Sequence, residues 1–124
     1  MKEFCTEAYY VIFSTLANRT RLAIIDTLKD GNRSASKIAA LLEHDENVVL
    51  SNLTQLEKCF LVLSSGSGKE KIYCLNKEII EPLSELLEFH VEKYCPGLTK
   101  CVPPEKLKEY MKSEASKTTY IEHE

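Results

Sequence analysis

Residues able to do chemistry are few in this 124-residue chain, and they are unevenly spread. Five cysteines stand at Cys5, Cys59, Cys74, Cys95 and Cys101. The count is odd and the chain is long enough to build a core without crosslinks, so a secreted disulfide scaffold is a poor reading. Scattered cysteines behave as small hydrophobes, whereas clustered ones point to metal or redox chemistry. Cys95-Pro-Gly-Leu-Thr-Lys-Cys101 is the one close cluster. Its Pro-Gly lets the chain fold back so that the two sulfurs can meet. That suits a disulfide, or two thiolates of a site for a soft ion such as As(III) or Zn(II). The plainer alternative is a loop whose cysteines only pack or crosslink.

Catalytic patterns are missing. Ser14, Thr15, His44 and Asp45 supply the residue types of a hydrolytic triad. However, no Gly-x-Ser-x-Gly elbow and no phosphate loop accompany them, and His44 beside Asp45 reads as a turn and a helix cap. Glu81, Glu85, Glu88 and Glu92 recur at helical spacing and read as a solvated face. The chain is not expected to be an enzyme.

These residues need elements to position them. Phe4, Ala8, Val11 and Ile12 recur at helical spacing over 3–16, and Tyr9, Phe13 and Leu16 widen that apolar face enough to call for a second neighbour, such as a dimer partner. Asn18 is an N-cap for a helix over 19–30, with Leu22, Ile25 and Leu28 as its stripe, Ile24 beside it, and Gly31-Asn32 as a left-handed stop. Ser34 caps a short helix over 35–43 carrying Ile38, Ala39, Leu41 and Leu42. Asp45 caps a fourth over 46–59, with Val49, Leu53 and Leu56 facing inward. Leu61-Val-Leu-Ser and Lys71-Ile-Tyr-Cys-Leu, joined through Ser65-Gly-Ser-Gly, read as a β-hairpin. Residues 78–94 return to helix, with Ile80, Leu83, Leu87, Val91 and Tyr94 close to a heptad seam. Pro82 either occupies the first turn of a helix starting near Glu81 or kinks a longer one. A short helix over 105–112 and a polar, frayed tail follow.

The expected fold is therefore mainly α with one small hairpin, in the order α-α-α-α-β-β-α. Two helices at a tight turn, the second followed by a hairpin, make a winged helix-turn-helix. The fourth helix can enter a major groove and the hairpin tip can reach a neighbouring phosphate. The expected organisation is a winged-helix and dimerisation domain over 1–95 and a C-terminal extension with the cysteine pair over 96–124.

Charge tests this. The whole chain holds 16 Lys+Arg against 19 Asp+Glu, a net of −3, which is unusual for a nucleic-acid binder. Residues 17–75, however, hold 8 Lys+Arg against 7 Asp+Glu, a net of +1, and the acidity belongs mainly to the C-terminal region. Such a reading half predicts weak nonspecific binding and heavy reliance on dimerisation. The N-terminal residues show no secretory pattern, and no stretch approaches the roughly 18 apolar residues of a membrane span. A soluble cytoplasmic protein without membrane contact is expected.

Three phrases, Leu16-Ala-Asn-Arg-Thr-Arg-Leu, Lys37-Ile-Ala-Ala-Leu-Leu and Leu53-Thr-Gln-Leu-Glu-Lys-Cys-Phe-Leu-Val, resemble the ArsR/SmtB family of repressors over roughly residues 10–95. The resemblance implies a homodimeric winged-helix repressor, with its first and last long helices at the dimer interface, bound to a double-stranded DNA operator. It places Glu46, Asn47, Leu50, Ser51 and Asn52 toward DNA. Asn47, Asn52 and Gln55 suit adenine edges, while Glu46 repels phosphate. Positive charge then comes from Lys69 and Lys71 on the hairpin tip, and a phosphate can sit at the start of the third helix beside Ser34, Ser36 and Lys37.

Departures from the family pattern are clear. Arg19 replaces a usual Pro and Phe60 a usual Gly. The family's Cys-x-Cys metalloid site is missing from Leu42-Glu-His-Asp-Glu-Asn-Val, and its Asp-x-His zinc or nickel pair is reduced to Glu88 and His90. In such a dimer Cys5 could add a third thiolate to Cys95 and Cys101, so that ligation or oxidation would alter the spacing of the reading helices. Cys59 stands where the family has a small core residue. The competing reading is a winged-helix protein-interaction module without specific DNA binding, which the acidic start of the fourth helix favours.

Overall fold

The computed structural model describes residues 5–68 and 71–95. Lys69, Cys101, the short helix expected over 105–112 and the tail lie outside the described residues. The order is α1 (Thr6–Leu16), α2 (Arg19–Lys29), β1 (Arg33–Ser34), α3 (Ala35–Leu42), α4 (Glu46–Lys58), β2 (Val62–Ser65), β3 (Ile72–Leu75) and α5 (Lys77–Tyr94). The chain divides between Ile80 and Glu81 into two compact units.

The first unit is the winged helix. Side-chain caps start three of its helices as expected. Asn18 Oδ1 accepts from the Arg21 amide at 3.0 Å, Ser34 Oγ from the Lys37 amide at 3.3 Å, and Asp45 Oδ1 from the Asn47 amide at 2.7 Å. Its core joins Ile24, Ile25 and Leu28 of α2 to Ile38 of α3, to Val49, Leu53 and Leu56 of α4, and to Leu61, Val62, Tyr73 and Ile80. Leu22, expected in the α2 stripe, is half exposed, and Ile24 takes its place at full burial. Leu41 likewise points outward.

A third strand was not expected. The sheet runs β1-β3-β2, all antiparallel, with Ser64 and Arg33 flanking Tyr73 from either side. Two residues are too few to show periodicity, so β1 is invisible to pattern. Its Arg33 side chain also donates to the Thr27 carbonyl at 3.0 Å, tying the strand back to α2.

Two helices end through left-handed residues that are not glycine. Glu43 follows α3 with φ 56°, and Phe60 follows α4 with φ 56°. At Phe60 the Leu61 amide bonds the Leu56 carbonyl at 3.0 Å and the Phe60 amide bonds the Glu57 carbonyl at 2.9 Å, the paired bonds of a Schellman ending. Phe60 thus keeps the backbone that a glycine would have provided. Asn76 Nδ2 donates to the Phe60 carbonyl at 2.8 Å and holds the corner. The Asn76 carbonyl then accepts from the Ile80 amide at 2.9 Å, which starts α5 at Lys77 rather than near Glu81.

Pro82 consequently lies inside α5, past the first turn, where it has no N–H for the Glu78 carbonyl. In the second unit, Leu83 and Val91 of α5 are half-buried. Leu86, Leu87, Phe89 and Tyr94 are exposed. The Lys93 ammonium lies 5.5 Å from the Phe89 ring centre and 5.4 Å from that of Tyr94. In the first unit, α1 exposes Tyr10, Val11, Ile12 and Phe13. Its buried residue is Thr15, whose hydroxyl donates to the Val11 carbonyl at 2.7 Å and lies 3.4 Å from Cys59 Sγ.

Candidate nucleic-acid interface

α4 is seated by three residues at zero exposure, Val49, Leu53 and Leu56. Their spacing turns Asn47, Ser51, Thr54, Gln55 and Lys58 to solvent on the opposite side, with Val48 and Leu50 exposed at its two flanks. Thr54 and Lys58 complete this face and were not singled out from sequence, although their spacing of three and four from Ser51 and Thr54 carries the signal. Thr54 Oγ1 is spent on the Leu50 carbonyl at 2.9 Å. The side chains of Asn47, Ser51 and Gln55 make no hydrogen bond among the described residues.

Asn52 is different. Its Oδ1 accepts from Arg21 Nε at 2.9 Å, and its Nδ2 donates to the Val48 carbonyl at 2.9 Å. Arg21 also donates to the Thr15 carbonyl at 3.2 Å. The amide expected to read a base instead joins α4 to α2 and to the last turn of α1. Sequence spacing gives no sign of this, because Arg21 is 31 residues away.

The wing meets α4 through Glu57. One carboxylate oxygen lies 3.5 Å from Lys71 Nζ, and the other accepts from Ser64 Oγ at 2.8 Å. Lys71 also sits 5.5 Å from the Tyr73 ring centre. Its charge is therefore shared with a neighbouring carboxylate rather than fully available to a phosphate. At the start of α3, Ser34 Oγ lies 3.2 Å from Ser36 Oγ, while Ser36 and Lys37 are exposed. Ala35, Ser36, Glu46, Asn47, Leu50, Gly68, Lys71 and Tyr73 line an open cleft of about 380 Å³ where α3, α4 and the wing converge. Gly68, at φ 59°, forms its rim. Among the sequence-selected residues, the fold brings together Ser36, Glu46, Asn47 and Lys71 here, and holds Asn52 apart from them by its hydrogen bonds.

The thiols of the first unit stand on different elements. Cys59 packs against the core, Cys74 is half-buried and paired in register with Leu63, Cys5 is exposed and Cys95 half-buried. All four are free thiols, and among the described residues no group of three His, Cys, Asp or Glu could hold a metal. Among the described residues no helix is long and apolar enough to cross a membrane.

No protein-family model and no curated protein matches the sequence. Solved structures do match. The homodimeric winged helix-turn-helix DNA-binding domain Mb0332 from Mycobacterium bovis, a possible ArsR-family transcriptional regulator, is 25% identical with a TM-score of 0.63, over 71% of this chain and 82% of that one. HlyU from Vibrio cholerae N16961 is 24% identical with a TM-score of 0.60, over 76% of this chain and 99% of its own. An ArsR family transcriptional regulator, RHA00566, is 21% identical with a TM-score of 0.55, over 68% and 93%.

Proposed function

We infer that this chain, which has the winged helix-turn-helix fold of ArsR-family regulators, is a DNA-binding transcriptional regulator that works as a homodimer. The observation that carries the reading is the exposed polar face of α4, seated on a fully buried apolar stripe and flanked by a wing fastened to it through Glu57. A helix so presented can lie in a major groove while Ser36, Lys37 and the wing meet the backbone.

Self-association fits two apolar faces, each open in its own unit: Tyr10, Val11, Ile12 and Phe13 on α1, and Leu86, Leu87 and Phe89 on α5. With Tyr9, five large side chains exposed on an eleven-residue helix exceed the scattered exposure of ordinary surfaces. The homodimeric Mb0332 domain gives a precedent for pairing within this fold.

The finer reading is a repressor whose hold on DNA answers a thiol-directed signal at Cys95 and Cys101, with Cys5 as a third thiolate. The Pro-Gly spacing of the pair supports it, and so do the free thiols of Cys5 and Cys95. The signal is either thiol oxidation or a soft ion, As(III) or Zn(II), bound by thiolates.

A gel shift of the purified chain on its own promoter, reduced, oxidised and with As(III) or Zn(II), tests both levels. Specific binding in at least one condition is expected. No specific binding in any condition would refute the regulator and favour the interaction module. Binding that responds to none of the treatments, or responds identically in Cys95→Ser and Cys101→Ser, would refute the sensor alone.

A further inference from the structure

The geometry points to a half-site read as A·T base pairs, with Asn47 and Gln55 on adenine edges and Leu50 on a thymine methyl. This rests on the DNA-binding reading above and deepens it. Asn47 and Gln55 are eight residues apart on one face, about 12 Å along the helix at 1.5 Å per residue. That distance covers three to four base steps of roughly 3.4 Å each. Leu50 and Ser51 lie between them.

The chemistry of these side chains is selective. Guanine is read in the major groove by an arginine or lysine fork on O6 and N7, and adenine by the paired donor and acceptor of an Asn or Gln amide on N6 and N7. The exposed face of α4 has no arginine, and no lysine before Lys58 in its last turn. It has two amides without intramolecular partners among the described residues, and two exposed aliphatic side chains, Val48 at 43% and Leu50 at 38%, of which Leu50 forms part of the cleft beneath the wing. Leu50 borders the polar face on its cleft side, with more than a third of its surface left open. In a major groove, the apolar group available to it is the C5-methyl of thymine.

The third amide, Asn52, is withdrawn from this set by Arg21 and the Val48 carbonyl. Arg21 is thus a positioning residue. It removes one base contact and leaves two amides separated by two helical turns, with the apolar contact between them.

Selection of binding sites from a random duplex library with the full chain tests the assignment. Enriched half-sites should carry A·T pairs at three to four successive positions. Asn47→Ala and Gln55→Ala should each relax preference at one position by roughly tenfold, with the other positions kept. Replacing thymine by uracil in the selected duplex removes the methyl without touching the protein. The expected loss is about fourfold, the value of one buried methyl group, and Leu50→Ala should abolish that difference. All three positions are exposed, so the variants should keep the wild-type circular dichroism. Enriched sites with guanine at these positions, or equal affinity for thymine and uracil duplexes, would overturn the readout and leave the regulator reading standing. A library with no enrichment would overturn both together.

Discussion

Replacing Glu43 by glycine should make the protein more stable. Glu43 ends α3 in the left-handed region, φ 56°, in the turn that leads into α4. Its amide and that of His44 both bond the Ala39 carbonyl, the latter at 3.0 Å, so the backbone there has no freedom to relax. A non-glycine residue in that well costs about 1–2 kcal/mol. Glycine gives back about 0.5–1 kcal/mol through the greater freedom of the unfolded chain. The Glu43 side chain is exposed and makes no hydrogen bond among the described residues, and its charge sits unfavourably at a helix C-terminus, worth about 0.3 kcal/mol. The net gain is about 1 kcal/mol, or a Tm rise of roughly 3–5 °C for a chain of this size. Thermal unfolding at one fixed protein concentration measures it, because a dimer's Tm depends on concentration. Glu43→Gln separates the charge from the backbone. If Glu43→Gly is no more stable than Glu43→Gln, the argument from backbone strain is wrong. Phe60→Gly provides an internal contrast at the same φ. Its ring is 67% exposed, and losing the covered third costs about 0.5–1 kcal/mol. Its expected net change is near zero.

Other outcomes follow from the site. Glu57→Gln releases the Lys71 ammonium, so DNA binding should tighten several-fold, and the slope of log affinity against log salt should steepen by about one; an unchanged slope in a salt titration would mean that Lys71 never meets phosphate. Arg21→Met removes two hydrogen bonds of a half-buried guanidinium and should cost about 2 kcal/mol in urea unfolding. In the same variant the Asn52 amide keeps only its bond to the Val48 carbonyl, with Oδ1 freed, so site selection should show one additional adenine-preferring position, and an identical selected site would mean that the Val48 carbonyl alone withholds it. Asp45→Ala deletes the cap of α4 and should cost about 1 kcal/mol by the same unfolding assay, while Asp45→Asn should restore most of it.

Much of the fold was legible because local rules and tertiary packing agree. Asn18, Ser34 and Asp45 were readable as caps, since a short polar side chain before an apolar period has little other use. Val49, Leu53 and Leu56 were readable as the seat of α4 for the same reason of period. Where two apolar residues competed, as Leu22 and Ile24 do on α2, periodicity alone chose wrongly, because the core that selects between them is built from other elements. For α5 the range 78–94 was readable to within a residue, while Pro82 left two starts open; the Asn76 carbonyl, which begins the helix at Lys77, decides for the longer one. At the candidate interface, sequence singled out a face of α4 that is exposed and a wing lysine, Lys71, that lines the cleft beside it. It could not show that Asn52 and Lys71 already have partners, since Arg21 and Glu57 reach them from distant positions on other elements. Residue type indicates what a side chain can bind, and only the fold shows what has already claimed it.

The Arg21 guanidinium bridges two helices of the first unit from a third. One end bears on the carbonyl of Thr15, in the final turn of α1, and the other on the amide of Asn52, midway along α4. A second bearing lies near the end of α4, where the Thr15 hydroxyl meets Cys59 Sγ. Two points of attachment along one helix constrain its rotation as well as its translation. The last turn of α1 and α4 are thus joined at two separate points, so a covering of the exposed aromatic face of α1 would lie one helix away from the candidate reading helix.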